Sequence, residues 1–409
     1  MTTKRTYKFR LYPTKQQEIL LDNTIETCRR LYNDSLGERS VDWDVGFYEQ
    51  KQLLTLRKQD NKYLKQVYSQ VLQDVVLRLD KAYQAFFKKL TKYPKFKRKG
   101  KYNSFTYPQY NNGWKIRDDE LVLWCIGPIK IKIHRMMPIV GTLKTCTIVR
   151  DVDQWYACIT TITDDDVDVD GVVASSANKC HDEMTKPVGI DVGLLNWLTL
   201  SDGKVIQNPL NFDTQAKKVK RLQRNLARKQ KGSKNREKAR IQLAKAWRQV
   251  RRCRDDFVHK ASKTIADVGY TLVAFEKLNI KNMVRNHRLA QAIMDATWGK
   301  LRQYTAYKVE GRSDSCGGRV ITVDPSGTSQ KCSGCGVEAI EKLDLSMRIF
   351  VCYSCGLVID RDLNAAKNIE KLGLEQARAE KQPLLVRRQL QRISKFASRK
   401  QEALEFIRG

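Results

Sequence analysis

The chain has 409 residues, 41% of them apolar, and 76 lysines and arginines against 45 aspartates and glutamates leave a formal net charge of +31. That length is a prior of two to three domains, and the composition is that of a folded chain, so a disordered or fibrous protein is excluded. No run approaches the ~18 apolar residues of a membrane span, residues 1–12 carry no signal-peptide core, and eleven mostly scattered cysteines make no secreted disulfide scaffold. What remains is a binder of a polyanion, foremost nucleic acid, in a reducing cytoplasm, with no membrane partner.

Residues 1–12 hold a basic strand, KRTYKFRLY, and Pro13-Thr14 then opens a helix in which Leu21, Ile25, Cys28, Tyr32 and Leu36 recur at helical spacing. A second helical pattern runs from Leu64 through Val71, Leu72, Val75, Val76 and Leu79 to Tyr83, Phe86 and Phe87, whose rings are read as core. Residues 13–93 are therefore a helical module. The basic loop PKFKRKGK follows, and VLWCI, IKIKI, CTIV and WYACITTIT alternate with period two, so that 94–170 reads as a small β-barrel or twisted sheet. The acidic run DDDVDVD at 164–170 lacks the glycine and bidentate glutamate of a calcium loop and reads as a solvated stretch, leading into a linker at 171–186.

From residue 187 the pattern becomes α/β. PVGIDVG is a strand, and LNWLTLS and KVIQ form a pair about Asp202-Gly203. Residues 215–254 form a basic helical hairpin with 17 lysines or arginines, one acid (Glu237), and Gly232-Ser233 at its tip. A helix around 259–267, the strand YTLVAF ending on Glu276, a helix near 290–310 and the strand RVITVD come next; LVID and a final helix from Asp362 follow the last cysteines. The organisation expected is 187–331 and 356–372 as two parts of one α/β domain, interrupted by 332–355, with 373–409 as a basic helical tail.

Four cysteines are tightly patterned. Cys332-x-x-Cys335 and Cys352-x-x-Cys355, 16 residues apart, let four thiolates reach one tetrahedral ion, and Gly336 and Gly356 follow each pair where a knuckle turns. Four thiolates close the coordination shell, so one structural Zn2+ is expected. Three carboxylates, Asp191, Glu276 and Asp362, fall at the ends of elements. An RNase H-like nuclease needs acids delivered in this way to hold two Mg2+ ions ~3.5–4 Å apart. If the strands carrying Asp191 and Glu276 are parallel neighbours, their carboxyl ends coincide at one sheet edge, where open α/β folds place ligands. Each acid alone has an ordinary reading: Asp362 as a helix cap, Glu276 as the end of a strand, Asp191 as a turn former. Asp360 competes for the third position.

GIDVGL, AFEKLNI, TSQKCSGCG, CYSCG and DRDLNAAKNI, with FRLYPTKQQ, RRLYN, PKFKRKG and the stretch from RDDFVHK to AIMDATW, together resemble the TnpB proteins of bacterial and archaeal insertion sequences. These are relatives of compact type V CRISPR effectors and of Fanzor proteins. The resemblance spans most of the chain and implies a multidomain α+β fold. A wedge-like β-barrel with an inserted helical module would precede an RNase H-like (RuvC) α/β nuclease domain holding a zinc-ribbon insertion. It implies an RNA-guided DNA endonuclease in which Asp191, Glu276 and Asp362 match the magnesium-binding catalytic acids and the four cysteines match the zinc ligands. The asparagine two residues beyond the second aspartate of DRD favours Asp362 over Asp360.

The implied partners are a guide RNA, from a transposon end or a CRISPR-like RNA, and a double-stranded DNA target carrying a short adjacent motif, with one protein per RNA favoured. Nucleic-acid contacts are then expected at Arg10 on the first strand, at Lys95, Lys97, Arg98 and Lys99 in the basic loop, and along the hairpin to Arg254. Gln73, at a position the family often keeps as glutamine, has an amide able to read adenine. Residues 312–318 and the acidic run depart from the family pattern. The rival functions are a DDE-type transposase acting on its own element and a non-cleaving RNA-guided repressor.

Overall fold

A computed structural model describes residues 2–42, 44–135, 137, 142–164, 186–209, 211–312, 318–340 and 347–380. Nearly all of the acidic run, the linker up to 185 and the tail beyond 380 lie outside the described residues. The chain divides into two units, Met1–Ser175 and Ser176–Gly409, each taken by itself below.

In the first unit strand β1 (Thr2–Tyr12) leads into helix α1 (Lys15–Val41). Thr14 starts that helix with a reciprocal box: its hydroxyl accepts from the Gln17 amide at 3.3 Å, and the Gln17 side chain accepts from the Thr14 amide at 2.9 Å. Helices α2 (Phe47–Asp60), α3 (Lys62–Lys65) and α4 (Ser69–Phe87) follow. The strands are then β2 (Ser104–Tyr107), β3 (Trp114–Arg117), β4 (Glu120–Leu123), β5 (Gly127–Lys132), β6 (Thr142–Asp151) and β7 (Gln154–Asp164). They form one antiparallel sheet in the order β2-β6-β7-β1-β5-β4-β3, with β1 paired to β7 from Thr2↔Asp164 to Leu11↔Trp155. The sheet curls: the Tyr107 hydroxyl on β2 donates 2.9 Å to the Trp124 carbonyl just beyond β4.

One continuous core joins Phe9 and Leu11 of β1, Leu21–Leu36 of α1, Val71–Leu79 of α4 and Phe105, Ile129, Ile148 and Ile159 of the sheet. Two expectations change here, and two strands are new. VLWCI is not one strand, because β4 ends at Leu123 and Cys125 adopts φ +67° in the turn to β5. SFTY and WKIR, too short to show alternation, are strands. Phe87 is 61% exposed rather than core, because α4 ends there and only Tyr83 of its last turn is buried.

The second unit is built on β8 (Pro187–Val192), β9 (Asn196–Leu200) and β10 (Val205–Gln207), followed by α5 (Asn211–Ala227) and α6 (Lys234–Asp267). Strand β11 (Leu272–Glu276), helices α7 (Ile280–Met283), α8 (His287–Ala296) and α9 (Trp298–Glu310), and strand β12 (Arg319–Val323) come next. The short strands β13 (Ile349–Val351) and β14 (Val358–Asp360) pair antiparallel, and a last helix, α10, occupies 361–380. The sheet order is β10-β9-β8-β11-β12, with β8, β11 and β12 parallel and β9 and β10 antiparallel.

Strand alternation gives the sheet two faces. Val273 and Phe275 of β11 pack with Val188, Ile190, Val258 and Ile265 of α6, and Leu301 of α9. Leu272 and Ala274 pack with Ile321, and with Ile369 and Ala377 of α10. The hairpin tip is as expected, Gly232 at φ +86° and Ser233 capping α6 by accepting from Arg236 N at 3.1 Å. Its second arm is longer, however: the helix expected at 259–267 is the end of the 34-residue α6. The helix expected at 290–310 is two, broken at Thr297, which sits in the left-handed region at φ +53°. Residues 373–380 continue α10 and bury Ala377. Among the described residues no helix is long and apolar enough to cross a membrane.

Candidate metal centre and acidic site

The two cysteine pairs form matching knuckles. The Gly336 amide donates to the Cys332 carbonyl and the Gly356 amide to the Cys352 carbonyl, each at 2.9 Å, with φ +79° and +72° at the two glycines, a region that suits a residue without Cβ. Sγ of Cys332 lies 3.6 Å from Sγ of Cys355, Sγ of Cys335 lies 3.6 Å from Sγ of Cys352, and all four sulfurs fall within 4.8 Å of one another. A tetrahedron with metal–sulfur bonds of ~2.3 Å has edges of about 3.8 Å, so the thiolates fit a single such ion. The thiols titrate against one another: the amide of Cys355, above all, lowers the Cys352 thiol, while against the Leu357 amide the hydrogen bonds of Cys332, Cys352 and Cys335 push Cys355 up to about 12. Phe350 is fully buried beneath the cluster.

The acids come from three separate elements, β8, β11 and α10. The parallel register Phe275↔Ile190 carries β11 and β8 side by side to their carboxyl ends, where Glu276 and Asp191 are the next residues. Asp362 is in the first turn of α10. Hydrogen bonds tell the two aspartates of DRD apart: Asp360 Oδ1 accepts from the amides of Asp362 (2.9 Å) and Leu363 (3.1 Å), so Asp360 is the helix cap. The Asp362 carboxylate instead meets Arg348 Nη2 at 3.1 Å and Asn196 Nδ2 at 3.4 Å. Burial, then the charges of Glu276 and of Asp362, push Asp191 up to about 7. Burial likewise raises Glu276, against a hydrogen bond from Thr328. A buried aspartate whose ionisation two neighbouring carboxylates oppose belongs to a donor set suited to hard divalent cations. They do not draw together as tightly as the sulfurs: among the described residues the four cysteines are the group of three or more acid, cysteine or histidine side chains that closes to single-ion distances.

The sequence alone does not single out Arg348, Asn196 or Thr328. Thr328 stands inside TSQKCSGCG, so its motif was visible though its role was not; Arg348 and Asn196 sit in no pattern of spacing that marks them.

The residues expected to contact nucleic acid are dispersed. Arg10 lies against Tyr156, with its guanidinium carbon 5.2 Å from the ring centroid and Nη1 3.3 Å from the hydroxyl. Lys95, Arg98 and Lys99 are exposed, whereas Lys97 is half-buried. The Lys97 amide donates to Asn33 Oδ1 at 2.7 Å and its carbonyl accepts from Arg29 Nη1 at 2.8 Å, pinning the loop to α1. Gln73 lines a cavity of about 320 Å3 between α2, α3 and α4 with Lys51, Lys58 and Lys65. Arg254 is paired with Asp295 at 2.5 Å and is largely buried.

Comparison with known proteins places these features in one class, proteins of mobile elements and their CRISPR relatives. Family profiles match residues 1–45 ("Helix-turn-helix domain"), 171–287 ("Probable transposase", the OrfB proteins of IS605 elements) and 298–369 ("Cas12f1-like, TNB domain"). The first label is not the shape of that stretch, whose described residues form one strand and one long helix. The chain is 33% identical to a candidate RNA-guided DNA endonuclease of Streptomyces pristinaespiralis, over 91% of this chain and 90% of that protein. It is 30% identical to another so described, InsQ of Escherichia coli K12, over 91% and 93%. A cryo-EM structure of Cas12f1 with its single guide RNA and target DNA shares the fold at a TM-score of 0.52 and 13% identity, covering 90% of this chain and 99% of that one. The chain belongs to the OrfB family of IS605-type elements, the TnpB family.

Proposed function

We propose that this chain is an RNA-guided DNA endonuclease of the TnpB type, cutting double-stranded DNA beside a short adjacent motif by two-metal-ion hydrolysis. The observation that carries the reading is the convergence of Asp191 and Glu276 at the carboxyl ends of neighbouring parallel strands, with Asp362 free of the helix cap beside them. In this reading 187–331 and 356–372 are an RNase H-like (RuvC) domain around the ribbon 332–355, and 1–12 and 94–170 are a wedge barrel carrying the module 13–93. Asp191, Glu276 and Asp362 would hold two Mg2+, and Cys332, Cys335, Cys352 and Cys355 one Zn2+. Bound magnesium supplies an activated water and neutralises the leaving oxygen. The chain's own part is to present the carboxylates: two on rigid strand ends, and the third on a helix whose cap is supplied by a different aspartate.

A closed shell of four thiolates keeps zinc structural. The guide RNA and the target are a dense polyanion that a +31 chain meets through phosphates, sequence-blind, so base pairing carries the specificity. One protein per guide, acting in the cytoplasm, completes the proposal. The test is a ribonucleoprotein reconstituted on the RNA that copurifies with the chain. Reprogramming that guide should redirect cutting to a matched duplex in Mg2+, and Asp191→Ala should abolish cutting by at least ~10³-fold while leaving target binding near wild type. RNA-independent joining of element ends would identify a DDE-type transposase, and guided binding without cutting by the wild type would identify a repressor.

A further inference from the structure

Glu276 does not stand alone at the end of β11. The Thr328 hydroxyl donates to its Oε1 at 2.5 Å, a charge-assisted bond, and Thr328 is 2% exposed. Thr328 belongs to no strand; it lies in the turn that runs into the first cysteine knuckle. That turn is gripped by α10. Asn368 Nδ2 donates both to the Thr328 carbonyl at 2.8 Å and to the Lys331 carbonyl at 2.7 Å. Asn364, one helical turn earlier, donates to the Lys331 carbonyl at 2.8 Å and accepts from the Ser333 amide at 2.8 Å, Ser333 being inside the first Cys-x-x-Cys pair. Lys371 Nζ donates to the Ser333 carbonyl. Residues 364, 368 and 371 share one face of the helix, and both asparagines are buried, Asn364 completely.

An asparagine is costly to bury unless its amide is used, and these two use theirs on the backbone of a single turn. The helix that carries Asp362 therefore also fixes the turn that fixes Glu276. A carboxylate held by one hydroxyl at Oε1 keeps its other oxygen and a remaining lone pair for a cation, with its rotamer set beforehand.

Resting on the nuclease reading above, we infer that Thr328 is a positioning residue for Glu276, braced by Asn364 and Asn368, so that divalent-cation affinity at the acids depends on the turn between β12 and the first cysteine knuckle, which α10 holds in place. The hydroxyl acts through Glu276 and touches no reacting atom. Its loss should weaken cation binding more than nucleic-acid binding.

The experiment compares Thr328→Val, which keeps the shape without the hydroxyl, with Thr328→Ser, which keeps the hydroxyl, in the full ribonucleoprotein. The Mg2+ concentration for half-maximal cleavage should rise about tenfold in T328V, within the 10–100-fold typical of second-sphere losses, and return to within about twofold of wild type in T328S. Target affinity should not change in either. Mn2+ binding to the assembled complex, followed by electron paramagnetic resonance, reads the same affinity without turnover. Asn368→Ala, which releases the turn while leaving Thr328 in place, should shift Mn2+ affinity in the same direction, and it serves where T328V does not assemble. An unchanged Mg2+ dependence and Mn2+ affinity in T328V or, failing its assembly, in N368A would overturn the inference, and so would T328S behaving like T328V. Asp191→Ala measured alongside separates the two failures. If D191A still cuts, the acid assignment falls; if D191A is dead and T328V titrates as wild type, only the positioning role falls.

Discussion

Asp191 has a proton affinity that the unfolded chain does not share. Its carboxyl is pushed up to about 7 by burial and then by Glu276 and Asp362, against about 3.9 for an unstructured aspartate. The metal-free fold thus binds a proton that the unfolded chain releases, so its stability falls as the pH rises from about 4 to about 7 and stays low above. Asp191→Asn removes the charge and keeps the shape. With Mg2+ left out and the cysteine-bound metal retained, D191N should melt several degrees above wild type at pH 8, with the gap narrowing toward pH 5, at about 2–4 °C per kcal/mol for a unit of this size. Mg2+ should raise the wild-type melting temperature at pH 8 and not that of D191N. A thermal-shift series over pH with and without Mg2+ reads both; a D191N protein less stable than wild type at pH 8 would mean that the carboxylate is paired rather than strained.

This scale is also where sequence reading reaches its limit. The aspartates of DRD look alike in one dimension, and only the amide bonds to Asp360 show which one is spent on the helix. Arg348, 14 residues before Asp362, meets it through a hairpin whose return no spacing rule gives.

At the scale of elements, the strands that carry Asp191 and Glu276 were legible because apolar runs ending on an acid, bounded by glycine or polar turns, are what a buried parallel strand leaves in a sequence. The break at Thr297 was not, since a β-branched residue at positive φ runs against its own preference, and here it stands between Ala296 and Trp298, both buried in the same core. How closely α10 approaches the sheet was equally hidden. Gly189 reads as one more residue of PVGIDVG, yet a Cβ there would stand well under 3.0 Å from both the Ala366 carbonyl oxygen and the Glu370 nitrogen. Both are backbone atoms of a helix that cannot yield locally. Gly189→Ala should therefore cost about 3 kcal/mol or more of unfolding free energy and lower cleavage with it, because the displaced helix is the one bearing Asp362. Gly37→Ala, within α1 and with nothing within 4 Å of its added methyl, should be neutral or stabilise by up to about 1 kcal/mol. Urea titrations of both variants decide it, and equal effects would mean that the close approach carries no strain.

For the whole molecule, charge is the property most plainly written in composition and the least informative about place. A surplus of +31 demands a polyanion, but which cations face it depends on what the fold has already used. Arg254 is engaged with Asp295, and Lys97 is half-buried in a loop pinned through its backbone to Asn33 and Arg29. Lys95, Arg98 and Lys99 project from that anchored loop into solvent. A loop fixed at its middle holds its outer cations at lower entropic cost than a free one, which makes these three the best placed of the cluster to neutralise phosphates. Replacing all three by glutamine should weaken guide-RNA binding at moderate salt. It should also flatten the slope of log affinity against log salt by about 2, since each phosphate contact contributes roughly 0.7–0.9 to that slope. Lys97→Gln should leave the slope nearly unchanged, its backbone anchors being intact. Filter-binding isotherms between about 50 and 200 mM salt read the slope directly; a triple variant that lost affinity with no change in slope would have lost the loop's shape rather than its charges, and the cations of this loop would then belong to the solvated surface.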